Sequence, residues 1–158
     1  MTHSILLALA AVVAVPASAQ DARSGSVTVS DPWSRATAPR ATVGAGFLNI
    51  RNGGAQADRL VSVASPRAER VEIHAMSMKN GVMRMRPLAN GVIVPSQRAT
   101  TLAPGGNHLM LMGLKAPLKA GERVPVTLRF ARAGTVTTQL VVGGAGAAGP
   151  SGSHQGHH

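Results

Sequence analysis

Apart from the initiator, every methionine in the chain falls between positions 76 and 112: Met76, Met78, Met83, Met85, Met110 and Met112. His74 and His108 bracket the same interval, and the chain contains no cysteine. Thioether sulfur is a soft, neutral donor with little affinity for zinc, calcium or magnesium and a good match to Cu(I), whereas imidazole accepts both copper oxidation states. A His/Met set without thiolate therefore points to Cu(I). Such ligands need no thiol deprotonation and suit reversible metal carriage in a compartment that oxidises thiols, although thioether oxidation is their liability.

Taken singly, each element is ordinary: methionine commonly fills gaps in cores, and a histidine at a strand end is usually a surface residue. Strand alternation separates the readings. In Val71-Glu72-Ile73-His74 the apolar pair shares one face and leaves Glu72 and His74 on the other. In Val82-Met83-Arg84-Met85-Arg86 the two methionines are co-facial. In His108-Leu109-Met110-Leu111-Met112 the histidine and both methionines share a face, with Leu109 and Leu111 opposite. Residues i and i+2 on a strand stand roughly 6–7 Å apart, so two such side chains can converge on one ion near a strand end.

The elements that must position these residues are short and β-rich. Segments at Val27–Ser30, Gly46–Arg51, Leu60–Val63, Arg70–His74, Val82–Arg86, Gly91–Val94, Thr100–Leu102, His108–Leu111, Val124–Phe130 and Thr135–Val142 are bounded by turn signals. Those signals include Asn52-Gly53-Gly54, Lys79-Asn80-Gly81, Ala89-Asn90-Gly91, Pro104-Gly105-Gly106 and Ala133-Gly134. Helical periodicity is absent. Many short strands with regular turns indicate an all-β sandwich or barrel of Greek-key type.

Flanking this body are two segments of different character. Ile5–Val15 is a short apolar run followed by Pro16-Ala17-Ser18-Ala19, which reads as a secretory signal over residues 1–19, with an uncleaved N-terminal anchor as the alternative. The expected location is therefore periplasmic or secreted, with no integral membrane segment once the signal is removed. Residues 20–142 form the expected domain. Residues 143–158 are a Gly/Ala-rich stretch ending in His154, His157 and His158, expected to be a flexible tether carrying imidazoles.

Composition excludes several classes. Sixteen Lys and Arg against six Asp and Glu give a formal charge of +10, but the basic residues are scattered. Trp33, Phe47 and Phe130 are too few for a base-stacking platform, so no nucleic-acid partner is expected. A basic surface facing an acidic protein or an anionic membrane surface is the more economical account. With no nucleophile elbow, no paired carboxylates and no blue-copper cysteine, the chain is not expected to be an enzyme or an electron-transfer cupredoxin.

The segments Val71–His74, Asn80–Pro87 and Pro104–Leu114 together resemble the periplasmic CuA-chaperone family, PCu(A)C. Ten residues separate His74 from Met85 and twenty-two separate Met85 from His108, the second gap being one residue longer than in that family's signature; His108-Leu109-Met110 supplies its terminal His-x-Met. The resemblance runs from about Val27 to Val142. It implies a cupredoxin-like β-sandwich with a Cu(I) site formed by His74, Met85, His108 and Met110. It also implies delivery of copper to the CuA centre of cytochrome c oxidase, on subunit II, with a thiol-containing assembly factor as a further partner. On that reading Met83 and Met112 pack beside the site, while Met76 and Met78 are auxiliary donors in a mobile loop. The histidine-bearing tail resembles extensions found in some members, where nitrogen donors could capture Cu(II). Two other readings remain open: a periplasmic storage or resistance protein that sequesters copper, and an adhesion-type sandwich whose methionines are merely core.

Overall fold

The computed structural model describes residues 21–150. The expected signal at 1–19 and the tail histidines His154, His157 and His158 lie outside the described residues. Among those described, every regular element is a strand, and no helix is long and apolar enough to cross a membrane. The strands are β1 Ala22–Ser24, β2 Val27–Arg35, β3 Val43–Asn52, β4 Asp58–Ala64, β5 Ala68–Lys79 and β6 Val82–Pro87. After them come β7 Val92–Val94, β8 Arg98–Leu102, β9 His108–Leu114, β10 Arg123–Phe130 and β11 Gly134–Gly143. All ten expected strands are present, most of them extended at one or both ends; β1 carries too weak an apolar pattern to stand out in the sequence.

Strand order closes the sheet on itself. The path β2-β11-β10-β4-β5-β9-β3 returns to β2 through a β2–β3 pairing, and β1, β8, β6 and β7 hang from β2, β3, β5 and β4. β2 and β11 pair in parallel; the hairpin partners pair antiparallel. This closed, flattened barrel is the all-β, cupredoxin-like sandwich anticipated above.

Alternation fills its interior. Val27, Val29, Leu48, Ile50, Ile73, Leu109, Leu111, Val126, Leu128 and Leu140 point inward and are buried. Full burial of each such side chain stabilises by about 1.5–3 kcal/mol. Because Leu109 and Leu111 are committed inward, His108, Met110 and Met112 must face outward. Glycine is required where β7 is entered: Gly91 has φ +74, and a Cβ there would sit 1.9 Å from the Leu60 carbonyl oxygen.

One irregularity re-aims a side chain. Between the pairs Ser30–Asn49 and Trp33–Phe47, β2 uses one more residue than β3, a bulge at Asp31, whose φ is +50. The extra residue reverses the alternation of β2. Val27 and Val29 face the core, yet Trp33 stands on the outer face beside Phe47.

The segment after β11 differs from the tether expected from residue 143. Gly144–Pro150 folds back on the body: Arg35 Nε donates to the Ala147 carbonyl at 2.6 Å, and Ala148, Gly149 and Pro150 line a shallow cleft with Trp33, Asn49 and Pro104. A Gly/Ala-rich stretch has no side chains with which to build a core, but its carbonyls can accept hydrogen bonds from the domain.

Candidate metal centre

β5 begins inside the barrel, paired with β9, and continues beyond it as a two-stranded hairpin with β6. Asn80 (φ +51) and Gly81 (φ +74) make the two-residue turn, both at positive φ as the tight hairpin turn requires. Where β5 leaves its partner β9, His74 lies directly opposite His108. The register then places every chemistry-bearing side chain on one outer face. Glu72 opposes Met110 and Arg70 opposes Met112 toward the body; Met76 opposes Met85 and Met78 opposes Met83 toward the hairpin turn.

The two imidazoles are neighbours, their ring centroids 5.9 Å apart at 50°. Each has one nitrogen engaged in a way that fixes the other. Glu72 Oε2 lies 2.7 Å from His74 Nε2; the carboxylate accepts, so Nε2 carries a proton and, in the neutral ring, Nδ1 carries the lone pair. His74 Nδ1 is the one buried side-chain polar atom among the described residues with no hydrogen-bond partner. His108 Nδ1 lies 3.1 Å from the Gly106 carbonyl, which can only accept, so in the neutral ring His108 Nε2 holds the lone pair. A histidine whose second nitrogen is held by a carboxylate or a backbone carbonyl is the usual form of a metal-ligating imidazole, because the partner fixes both tautomer and ring orientation.

Glu72 is itself positioned. Arg70 Nε donates to its Oε1 at 2.8 Å. This hydrogen bond, followed by that from His74, holds the Glu72 carboxyl below the ordinary carboxylate range. The carboxylate therefore stays an acceptor at neutral pH.

Burial grades across the site. His108 is 3% exposed and the His74 side chain 12%; Met76, Met110 and Met112 are half-buried, and Met85 is 46% exposed. His108 and Met110 from β9, His74 from β5 and Met85 from β6 thus lie on three adjacent strands of one face. His74 and His108 are directly opposed. Met110 lies one step toward the body and Met85 one step toward the hairpin turn. Among the described residues no three His, Asp, Glu or Cys side chains are grouped for a metal; the soft donors that this face sets beside the imidazole pair are the thioethers of Met76, Met85 and Met110.

Two expectations for the remaining methionines require correction. Met76 and Met78 do not lie in a mobile loop: they are strand residues, because β5 runs five residues past His74. Met83 does not pack beside the imidazoles; it sits 58% exposed near the hairpin turn, opposite Met78. Met112 is half-buried between Val43 and Arg70, two residues from Met110.

The structure adds neighbours that spacing did not single out. Phe47 flanks His108, with ring centroids 6.4 Å apart, and Trp33 packs on Phe47 at 4.6 Å. The Arg35 guanidinium lies 5.8 and 5.7 Å from these two ring centroids. Trp33, Phe47, His108 and His74 thus form a row across four strands, its aromatic end an apolar wall beside the imidazoles. Only the bulge at Asp31 brings Trp33 there, and bulges leave little trace in a sequence.

Comparison with known proteins bears on the family and the fold. Residues 27–142 match the model of the LpqE-like family, described as "Putative lipoprotein LpqE-like". A protein of Leifsonia xyli subsp. xyli, "Putative lipoprotein Lxx21020", is 39% identical over 135 residues, covering 84% of this chain and 80% of that one. The copper-bound PCuAC domain from PmoF2 superposes with a TM-score of 0.68 at 25% identity, covering 79% of this chain and 98% of that domain. The Cu(I) form of DR1885 from Deinococcus radiodurans gives 0.56 at 28% identity, covering 80% and 81%. By its sequence the chain belongs to the LpqE-like family, and its fold is that of the PCuAC domains.

Proposed function

We propose that this protein is an exported Cu(I) carrier that holds the ion with His74, Met85, His108 and Met110 and passes it to an acceptor protein. The observation that carries the reading is the imidazole pair. Two rings side by side each present a nitrogen to the outer face, one of them buried and without a partner, and that face also carries the thioethers of Met85 and Met110. Leaving Nδ1 of His74 unsatisfied costs about 1–3 kcal/mol, a cost that a bound metal ion would offset. The donor set is soft and neutral, which favours Cu(I). The copper-bound PCuAC relatives and the lipoprotein relative support copper carriage and export respectively.

The acceptor we favour is the CuA centre on subunit II of cytochrome c oxidase, prepared by a thiol-containing assembly factor. The basic balance of the chain suits an acidic docking surface. His154, His157 and His158 would add nitrogen donors suited to Cu(II). The role is carriage rather than catalysis.

Anaerobic titration against a chromophoric Cu(I) chelator tests the site. Wild type should withdraw one equivalent tightly, and the His108→Ala, Met110→Ala double variant should not. Equal competition by both proteins would refute the assignment. Carriage is separated from storage by the deletion strain: loss of oxidase activity in scarce copper supports delivery, whereas copper sensitivity with normal oxidase supports sequestration.

A further inference from the structure

Four of the six methionines beyond the initiator are concentrated on the β5–β6 hairpin, and three of them are exposed where packing cannot explain them. Met78 is 69% exposed, Met83 58% and Met85 46%. A core-filling role needs neighbours that these side chains do not have. Their order is not random either: the cross-strand register pairs Met76 with Met85 and Met78 with Met83, so all four thioethers share one face. Ser77, Lys79, Val82, Arg84 and Arg86 occupy the other. That thioether face is the continuation, along the same strand, of the face bearing His74.

We infer that Met78 and Met83, with Met76 as a third donor, form a second, weaker Cu(I) site at the end of the hairpin, beside Met85 of the first centre, one that takes up the ion and relays it to and from the imidazole pair. Directly opposed residues in an antiparallel ribbon have Cβ atoms about 4.5–5.5 Å apart. A methionine side chain has three rotatable bonds and a polarisable sulfur, so two opposed thioethers can close on one soft ion, and the adjacent pair can supply a third donor. Met76 and Met78 lie two and four residues beyond His74, about 7 and 14 Å along the strand. The ladder therefore offers successive thioether positions from the solvent-exposed turn to His74. Each step exchanges one neutral sulfur donor for another, with no proton or electron transferred.

Weakness follows from the same structure. The site is open to water, its ligands carry no charge, and Lys79, Arg84 and Arg86 lie on the back of the same two strands, where their positive field opposes a cation. A loading and unloading site must be weaker than the centre it serves. The relay role rests on the imidazole pair being the Cu(I) centre; the hairpin site itself does not.

Anaerobic Cu(I) titration of the full chain, followed by the methyl resonances of 13C-methyl-methionine, distinguishes the two. In wild type the first equivalent should shift Met110, and a second, weaker equivalent should shift Met78 and Met83. Met78→Leu, Met83→Leu keeps the volume of two exposed side chains; it should lose the second equivalent, keep the first, and slow loading of the first. His74→Ala, His108→Ala should lose the tight equivalent yet still shift Met78 and Met83. Failure of the tight equivalent alone would sink the carrier reading and leave the hairpin site standing. A second equivalent that leaves Met78 and Met83 unmoved, or that survives the Met78→Leu, Met83→Leu substitution, would overturn the hairpin site; unchanged loading kinetics in that variant would overturn the relay.

Discussion

Replacing Glu72 with alanine should weaken Cu(I) binding without unfolding the protein. Glu72 Oε2 is 2.7 Å from His74 Nε2, and Oε1 is 2.8 Å from Arg70 Nε, so the carboxylate holds the imidazole while Arg70 holds the carboxylate. Removing the outer partner of a ligating histidine typically costs about 10–100-fold in metal affinity. The site is partly open to water, which can replace the carboxylate imperfectly, so the lower half of that range is expected. Glu72→Gln should cost less than Glu72→Ala, because the amide oxygen still accepts from His74 although its NH2 cannot accept from Arg70. Chelator competition under anaerobic conditions reads both affinities. Thermal denaturation should barely change, since exposed ion pairs contribute little to stability. Unaltered affinity in Glu72→Ala, or a larger loss in Glu72→Gln than in Glu72→Ala, would refute the argument that the carboxylate sets the tautomer and aim of His74.

Leu109 is fully buried on the face of β9 opposite His108; Leu109→Ala should cost about 2–5 kcal/mol, read as a lowered midpoint in chemical denaturation. Glu122 is held below the ordinary carboxylate range chiefly by its hydrogen bond from Arg67, at 3.1 Å. Its contribution is therefore present above the ordinary carboxylate pKa of 4.5 and lost as pH falls through its lower folded value. Glu122→Gln should accordingly be less stable than wild type at neutral pH, with the gap closing below that range in denaturation midpoints measured against pH. Arg35→Ala removes both the bond to the Ala147 carbonyl and the contact with Trp33 and Phe47, so amide exchange over residues 144–150 should quicken while that of β9 stays unchanged.

Much of the site was legible because strand alternation is a strict rule. Once Leu109 and Leu111 are assigned to the core, His108 and Met110 must share the opposite face, and Ile73 fixes His74 in the same way. Which strands meet is a different matter. Nothing local in the sequence says that β5 pairs with β9 at His74, since that contact joins segments thirty-four residues apart and depends on closure of the whole sheet. The extent of β5 was under-read because Met76-Ser77-Met78 lacks β-branched residues; the Asn80-Gly81 turn and pairing with β6 carry it forward. The place of Trp33 beside the imidazoles was not legible because strict alternation would put it with Val27 and Val29, and the bulge at Asp31 reverses that. Glu72 was placed on the right face, but its hold on His74 is a matter of rotamers, visible only in three dimensions. The docking of Gly144–Pro150 was invisible because backbone carbonyls, not side chains, make the contact.

X-ray absorption at the copper K-edge, on the full chain loaded anaerobically with one equivalent of Cu(I), tests the central claim most directly. The account predicts a mixed first shell, with imidazole nitrogen and its outer-ring scattering together with thioether sulfur. A shell of sulfur alone would place the ion on the methionines without the histidines, and a shell of nitrogen and oxygen alone would exclude the thioethers; either result would contradict a carrier that holds Cu(I) with imidazole and thioether together.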